Sequence, residues 1–328
     1  MKMDFARNEV LVALVIVAFC ALAAASDARF LSIATLTDLL RSGIVLSIFA
    51  VGAMLVLISG GIDVSFTAVA AFTMYVTAML LNAVMPWMPW WGAIAIGMAI
   101  GASLGAVNAI LIAGFGLPTL IVTLGTLSVF RGFMLTFVGQ KQITTLPPGM
   151  RDFGRMMMLR GTNADGSFYS LHVAFLFTVA AVVVTWAILY RTMLGRMIFA
   201  IGGSVESARR IGIDVRATQA FVYVYVGALA GLAGVIHASM ARVANPFDLV
   251  GLELSVIAAV VLGGARLAGG YGTLTGTLLG VALIVLVRNS LIVIGIPNTW
   301  QSVTIGVLIL LGTGLPAWQA KRAAARAA

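Results

Sequence analysis

The chain has 328 residues, of which 61% are hydrophobic and only 9% are charged. Because about a quarter of the residues in soluble globular domains are charged, this composition excludes that class and indicates an all-α polytopic membrane protein. The net charge of +9 lies in short segments between apolar runs, where membrane orientation accounts for it, so no nucleic-acid partner is predicted. The single cysteine, Cys20, and two isolated histidines form no metal-binding pattern, and no metal site is predicted.

The apolar runs are sufficient for about ten transmembrane helices of roughly 20 residues each. The predicted spans cover residues 10–25, 44–58, 64–84, 91–113, 117–138, 171–190, 217–240, 251–265, 271–290 and 298–315. The first run has an alternative interpretation as a cleaved signal peptide, because Lys2 and Arg7 precede it and small residues end it at 23–26. Asp4 and Glu9 dilute that positive leader and favour a retained span. With both termini cytoplasmic, the inner segments hold most of the 20 lysines and arginines.

One phrase occurs twice in apolar surroundings, as Gly61-Ile62-Asp63-Val64-Ser65 and as Gly251-Leu252-Glu253-Leu254-Ser255. A carboxylate within a membrane segment costs roughly 2.5–3.5 kcal/mol, so two copies require a structural or functional reason. Further landmarks recur in the same order, namely Gly97, Gly101, Gly105, Asn108 and Gly116-Leu117-Pro118, then Gly272, Gly276, Gly280, Asn289 and Gly295-Ile296-Pro297. The repetition predicts one transmembrane domain, 1–328, containing two four-helix repeats at about 42–138 and 217–315. Because of the extra central span, 171–190, the chain crosses the membrane five times between a point in the first repeat and the equivalent point in the second. An odd number of crossings gives the second repeat the opposite orientation in the membrane.

The doubled phrase allows two interpretations, which can both hold. In the first, the glycines break the helix and each acid caps the next one, with serine as a helper. In the second, the breaks expose polar groups to a translocation pathway for a polar solute. The candidates for the breaks or the pathway are Gly60, Gly61, Asp63, Ser65, Asn108, Glu253, Ser255 and Asn289. Interhelical hydrogen bonds are the simpler expectation for Asn108 and Asn289.

A substantial inner loop, 191–216, separates the two repeats, and it contains the signals of a short capped helix. Ser204 suits the N-cap, Glu206 the positive first turn, Arg209 and Arg210 the last turn, and Gly212 the terminus. An ordinary basic loop obeying the charge rule is the alternative, but a capped helix here is well placed to contact a cytoplasmic partner.

A long outer loop carries four basic residues, Lys141, Arg151, Arg155 and Arg160. They are candidates for docking an acidic patch of an external binding protein, a contact that salt would weaken. Simple solubility of a long loop explains the same residues equally well.

The sequence resembles the ribose-type sugar ABC importer permeases along nearly its whole length. The resemblance rests on Gly60-Gly61-Ile62-Asp63-Val64-Ser65, on the loop around Gly202, and on Leu262-Gly263-Gly264 with Gly269-Gly270-Tyr271-Gly272. It implies a fold similar to the vitamin B12 importer and a dimer of two copies or of this chain with a homologue. It also implies a bacterial inner-membrane location among lipid, a cytoplasmic ATP-binding cassette ATPase and a periplasmic solute-binding protein.

Carried over to this chain, the resemblance makes Gly202–Gly212, including Gly203 and Ala208, the helix that couples to the ATPase. One departure stands out, because the family usually has glycine where this chain has Thr67. The departure leaves the substrate subgroup open.

The chain has no Gly-x-x-x-x-Gly-Lys-Ser/Thr loop and no hydrolase motif, so ATP and Mg²⁺ are assigned to the partner ATPase and this chain is not an enzyme. The predicted function is therefore import of a monosaccharide or similar small polyol. Three alternatives stay open: import of autoinducer 2 or another small polar solute, an ion-coupled secondary transporter that uses Asp63 and Glu253, and a passive channel.

Overall fold

The structure, a computed structural model, describes residues 6–26, 28–163, 166–293, 300, 303, 306 and 307. Its longer helices are α1 (Ala6–Ser26), α2 (Ile33–Ile58), α3 (Phe66–Ala83), α4 (Trp90–Ala109), α5 (Thr119–Phe133), α7 (Ala174–Arg191), α10 (Val215–Ala241) and α12 (Leu274–Val293). The shorter ones are α6 (Pro148–Phe153), α8 (Met193–Gly203), α9 (Val205–Arg210) and α11 (Leu252–Leu262). One π-helical turn extends α4 to Gly114, another extends α5 to Val138, and a 3₁₀ turn covers Ala28–Leu31.

Six of the described helices are long and apolar enough to cross a membrane, namely α2, α3, α4 and α5 with their π turns, α7 and α10. The polytopic helical class is thereby confirmed, whereas the count of ten spans stays a prediction. The predicted span 251–265 needs correction, because α11 has 11 residues and is only about 16 Å long, half the hydrocarbon thickness. The predicted span 298–315 lies almost entirely outside the described residues.

Two further differences concern the segments between the spans. The outer segment is not all-α, because β1 (Met157–Thr162) and β2 (Phe168–His172) form an antiparallel hairpin. The inner loop 191–216 is largely helical, because α8 precedes the predicted short helix α9. Thr192 starts α8 by accepting a hydrogen bond from the Gly195 N–H at 3.3 Å, so the turn after α7 is itself a helix cap.

Helices α2 and α10 form the centre of the bundle. Helix α2 packs against α7, α10, α11 and α12, and α10 packs against α2, α3 and α4. These contacts fall into two matching sets. Helix α10 packs against α3 and α4, and in the same way α2 packs against α11 and α12. Helices α3 and α4 also pack together, as do α11 and α12.

Helices α4 and α10 pack closely, and their glycines face each other. A Cβ added at Gly101 would lie 2.2 Å from the Gly227 carbonyl oxygen, and one added at Gly227 would lie 2.3 Å from the Gly101 carbonyl oxygen. Gly276, one of three glycines spaced four residues apart in the second repeat (Gly272, Gly276 and Gly280), approaches Gly263 at the end of α11 in the same way, with 1.9 Å between an added Cβ and the Gly263 oxygen. Glycines at four-residue spacing thus let both pairs of helices approach closely.

The connections gather at two ends of the bundle. At one end, Ile143 and Ala244 exchange backbone hydrogen bonds of 3.0 and 3.1 Å, which joins the segment after α5 to the segment after α10. At the other end, the Gly270 N–H donates to the Ile58 carbonyl at 2.9 Å, which joins the end of α2 to the α11–α12 loop. These are the ends that the sequence predicts to be outer and inner, respectively.

Candidate functional site: two polar helix breaks and a glycine junction

The first acidic phrase forms a break between α2 and α3. Asp63 is 5% exposed, and its Oδ1 accepts the Ser65 N–H and the Ser65 hydroxyl, both at 2.7 Å. Asn108 of α4 donates its amide to the Ser65 hydroxyl oxygen at 2.8 Å. Three predicted residues thus form one buried chain, Asn108 to Ser65 to Asp63, and Asn108 makes the expected interhelical bond.

Two threonines of α5 hold the break in place. The Ile62 N–H donates to the Thr119 hydroxyl oxygen at 3.1 Å, and the Thr123 hydroxyl donates to the Ile62 carbonyl at 3.2 Å. These bonds satisfy backbone groups that a broken helix would otherwise leave unpaired inside the membrane. Neither threonine is among the residues predicted from the sequence, although their four-residue spacing after Pro118 places them on one helix face.

The first break also contains unused hydrogen-bonding capacity. Tyr223 of α10 is 2% exposed, and its hydroxyl oxygen would lie 2.6 Å from a Cβ added at Gly61. Within the described chain, neither this hydroxyl nor the Asn108 Oδ1 has a hydrogen-bond partner. Buried polar atoms of this kind are normally paired with protein, water or ligand.

The second acidic phrase opens α11 and behaves differently. Gly251 takes the N-cap position with a φ of +88°, and no side chain caps the helix there. Glu253, in the first turn, instead accepts a hydrogen bond from the Thr67 hydroxyl on the first turn of α3. The capping interpretation therefore fits Asp63, which binds a backbone N–H at the start of α3, but it does not fit Glu253.

The Thr67–Glu253 bond brings the two breaks together. It joins the starts of α3 and α11 across 186 residues of sequence, and Thr67 is fully buried. Thr67 is also the position at which the sugar importer permeases usually have glycine. A glycine at position 67 would leave Glu253 without this donor.

The remaining break candidates, Ser255 and Asn289, do not take part in the hydrogen bonds that hold the two breaks together. Ser255 is buried on α11, two residues beyond Glu253. Asn289 of α12 donates its amide to the Val285 carbonyl of its own helix at 3.0 Å, so the interhelical bond expected for it is not found among the described residues.

The capped helix predicted in the inner segment is confirmed as α9. The Ser204 hydroxyl oxygen accepts the Ser207 N–H at 3.2 Å, and the exposed Glu206 and Arg210 form an ion pair of 2.5 Å. Ala208 is buried, whereas Arg209 is exposed. Gly212, with a φ of +84°, follows the helix. The exposed face of α9 is therefore charged, and its inner face packs on the bundle.

A glycine junction of Gly60, Gly202, Gly269 and Gly270 joins the end of α8 to the first break. A Cβ added at Gly202 would lie 1.7 Å from the Ile58 carbonyl oxygen and 2.5 Å from the Gly270 nitrogen. One added at Gly269 would lie 2.6 Å from the Gly60 Cα. Three segments thus meet through their backbones alone: the end of α2, the end of α8 and the α11–α12 loop. Gly203, directly beside the junction, has nothing within 4 Å of an added Cβ.

The four basic docking candidates lie at the opposite end of the bundle. Lys141, Arg151, Arg155 and Arg160 are all exposed. Arg151 is on α6 and Arg160 is on β1, so a folded segment rather than a loose loop presents them. The Lys141 carbonyl accepts the Tyr75 hydroxyl at 2.9 Å, which anchors this segment to α3.

These features define a multi-pass helical membrane protein with hydrogen-bonded polar groups at two helix breaks, as in a transport permease. The chain belongs to the branched-chain amino acid transport system / permease component family, which it matches over residues 35–312. The membership confirms the class predicted from the motifs, the inner-membrane permease subunit of an ABC importer. Such a subunit works with an ATPase and a periplasmic binding protein and is not itself an enzyme.

Curated relatives match most of the chain. The autoinducer 2 import system permease protein LsrC of Salmonella paratyphi B is 32% identical, over 94% of this chain and 86% of the relative. The protein of the same name from Escherichia coli K12 is also 32% identical, over 93% of this chain and 85% of the relative. No solved structure matches.

Proposed function

We propose that this chain is the membrane subunit of an ATP-driven importer for a small polyhydroxylated solute, either autoinducer 2 or a monosaccharide of similar size. The observation that carries the proposal is the similarity to autoinducer 2 permeases, which extends through the breaks, the inner helix and the outer segment. The chain matches these relatives nearly from end to end, so the same overall design is expected.

The chemistry of the breaks supports a neutral solute rich in hydroxyl groups. Asp63, Glu253 and the Asn108 Oδ1 are hydrogen-bond acceptors, and the Tyr223 hydroxyl is a spare donor. Such groups exchange hydrogen bonds with solute hydroxyls or water at little net cost. A weakly binding pathway suits an importer whose binding protein selects the solute.

Energy enters through α9 in this proposal. The partner ATPase, which carries ATP and Mg²⁺, engages Ser204, Glu206, Arg209 and Arg210. Movement of α9 passes through Gly202 of α8 to the ends of α2 and of the α11–α12 loop. From there it reaches Asp63 and, through α3, the Thr67–Glu253 bond. Backbone-to-backbone contact suits this role because it leaves no flexible side chain to absorb the displacement.

The corresponding helix pairings support two inverted repeats, in which α2, α3 and α4 are equivalent to α10, α11 and α12. Exchanging each helix for its equivalent reproduces the α4–α10, α3–α10 and α3–α4 contacts as α12–α2, α11–α2 and α11–α12. Both acidic phrases then begin helices that meet near the repeat interface. With α9 inside, both termini are cytoplasmic, and the outer segment that carries Arg155 and the hairpin residue Arg160 faces the periplasmic binding protein.

A second permease copy or a homologue, together with lipid, completes the assembly. Helix α5 presents a continuous set of exposed apolar side chains, including Leu120, Ile121, Leu124 and Phe133. In a membrane, that surface is covered by lipid or by the partner permease.

The test is uptake of labelled autoinducer 2, ribose and other monosaccharides by cells of the native host, with and without this chain. We expect uptake of at least one of these solutes to survive a protonophore and to stop when ATP is depleted. Uptake that stops with the protonophore and persists without ATP would instead support the ion-coupled transporter. An Asp63→Asn variant separates the two again, because a proton carrier needs the titratable oxygen whereas the importer needs only the acceptor.

A further inference from the structure

A cavity of about 430 Å³ lies at the inner end of the bundle, and its lining includes none of the polar residues of the two breaks. It is formed by the start of α1, the end of α7 and the start of α12, and its lining includes Glu9, Trp186, Tyr190 and Tyr271. The transport function uses none of these side chains. Three aromatic rings and one carboxylate around one cavity are the components of sites that recognise alkylammonium groups.

The carboxylate of Glu9 is held in place by two hydroxyl groups. It accepts hydrogen bonds from the hydroxyls of Thr273 and Thr275, the latter at 3.0 Å, and both bonds go to Oε1. Among the described residues, no lysine or arginine nitrogen lies within ion-pairing distance of Glu9. A half-buried carboxylate that none of the described side chains neutralises favours binding of a cation.

Two arginines flank the aromatic rings. The Arg191 guanidinium lies 5.0 Å from the centre of the Trp186 ring, and the Arg266 guanidinium lies 5.7 Å from the centre of the Tyr271 ring. A zwitterionic headgroup matches this distribution of charge, since its ammonium group suits the carboxylate and its phosphate suits the arginines. Aromatic and basic side chains at the ends of transmembrane helices are also at headgroup depth.

We propose that this cavity binds the headgroup of phosphatidylethanolamine from the inner leaflet, with its ammonium against Glu9 between Trp186, Tyr190 and Tyr271. A primary ammonium is favoured over a quaternary one because hydrogen bonds to the Glu9 carboxylate require N–H donors. The site lies next to the α11–α12 loop, which also enters the glycine junction, so a bound lipid would brace α1, α7 and α12 around the coupling region. The inner-leaflet assignment rests on the orientation given in the proposed function.

The test measures lipid binding to the purified full-length chain in detergent by native mass spectrometry, titrating dioleoyl phosphatidylethanolamine. In the Glu9→Gln variant, the amide oxygen still accepts the two threonine hydroxyls, but the negative charge is gone. We expect its affinity for this lipid to fall at least about tenfold, the effect of losing one charge-assisted hydrogen bond. Asp152→Asn, which removes an exposed carboxylate on α6 at the other end of the bundle, is the control and is expected to bind like the wild type.

A second pair of variants distinguishes a role of Glu9 in lipid binding from a role only in the structure of the protein. Trp186→Leu leaves the Glu9–Thr273 bond intact and is expected to weaken binding, whereas Trp91→Leu at the other end of the bundle is not. Equal affinity of Glu9→Gln and the wild type, or equal binding of phosphatidylglycerol, would overturn the proposal. Displacement of the lipid by free ethanolamine at millimolar concentration would assign the site to soluble amines instead. Because the readout is lipid binding, it stands or fails independently of the transported solute.

Discussion

Thr67 stands where the family that the sequence resembles usually has glycine, and its hydroxyl joins the two polar breaks. Thr67→Val keeps the shape of the side chain and removes the donor to Glu253. We expect it to lower the free energy of unfolding by about 1–3 kcal/mol, the cost of leaving a partly buried charged acceptor without its hydrogen bond. The measurement is thermal unfolding of the purified chain.

Thr67→Ser is the matched control, since it restores the hydroxyl. If Thr67→Val unfolds at the same temperature as Thr67→Ser, the bond to Glu253 does not stabilise the contact between α3 and α11. The same pair of variants in the uptake assay shows whether the contact between the breaks matters for transport as well as for stability.

His172 predicts a pH dependence at the outer end. Its Nδ1 accepts the Ala174 N–H at 2.9 Å and so helps to start α7, which requires an unprotonated nitrogen. Burial, followed by the positive charge of Arg41, lowers the pKa of this imidazole. The unfolded chain therefore takes up the proton first, and stability falls as the pH drops below the ordinary histidine value of about 6.5.

The corresponding experiment compares unfolding temperatures at pH 7.5 and 5.5. His172→Asn retains an acceptor for the Ala174 N–H without a titratable ring, so it should lose less stability than the wild type on acidification. An identical loss in both proteins would mean that His172 has the same pKa in the folded and unfolded chain, or that another group controls the response. His237→Asn serves as the control for the other histidine, which pairs with Asp248 at 3.2 Å.

Among the elements, the α4–α10 pair shows how small residues set the distance between helices. Gly101→Ala gains up to about 1 kcal/mol of helix propensity, but its methyl group would overlap the Gly227 backbone. Overpacking typically costs about 1–3 kcal/mol, so we expect net destabilisation. Gly125→Ala on α5 is the matched control, because nothing lies within 4 Å of an added Cβ there.

Thermal unfolding of both variants tests this expectation directly. Gly125→Ala should be neutral or slightly stabilised, since only the propensity term applies. If Gly101→Ala were as stable as Gly125→Ala, the two helices would have to separate without loss, and the close contact would be unimportant for the fold.

The elements also show which features the sequence can predict. The start and end of α9 follow from local chemistry, because Ser204, Glu206 and Gly212 all lie within one short segment. The start of α11 at Leu252 lies within one residue of the predicted start at 251, but the predicted end at 265 is three residues too late, because Gly263, Gly264 and Ala265 continue the uncharged run up to Arg266. The β1–β2 hairpin is not predicted, because its strands are short and lack a clear alternation of apolar and polar residues.

The sequence predicts which residues belong to the candidate site better than it predicts which of them contact one another. Asp63, Ser65 and Asn108 are each identified from sequence, and they form one hydrogen-bonded chain. The Thr67–Glu253 bond is not predicted, because a single sequence gives no signal for a pair 186 positions apart. The glycine junction is likewise hidden, since its glycines come from three separate segments and only the fold brings them together.

For the whole molecule, the decisive question is whether the glycine junction carries the movement of α9 to the first break. Gly202→Ala and Gly203→Ala are adjacent substitutions with the same chemistry, but only the first would overlap the Ile58 carbonyl and the Gly270 nitrogen. We expect Gly202→Ala to separate the two segments and to reduce uptake severely, by about tenfold or more if the barrier to the transport step rises by 1.4 kcal/mol. Gly203→Ala should transport at nearly the wild-type rate.

Uptake alone does not distinguish lost coupling from lost folding, so the comparison needs two more readouts. Membrane levels and unfolding temperatures establish that Gly202→Ala is folded. Co-purification with the ATPase should be unchanged, because the exposed face of α9 with Glu206 and Arg210 is untouched. An Arg209→Glu, Arg210→Glu variant should show the opposite pattern, with ATPase binding lost in a folded permease. If Gly202→Ala transports as well as Gly203→Ala, the junction is a packing feature, and the ATPase acts on the breaks by another route.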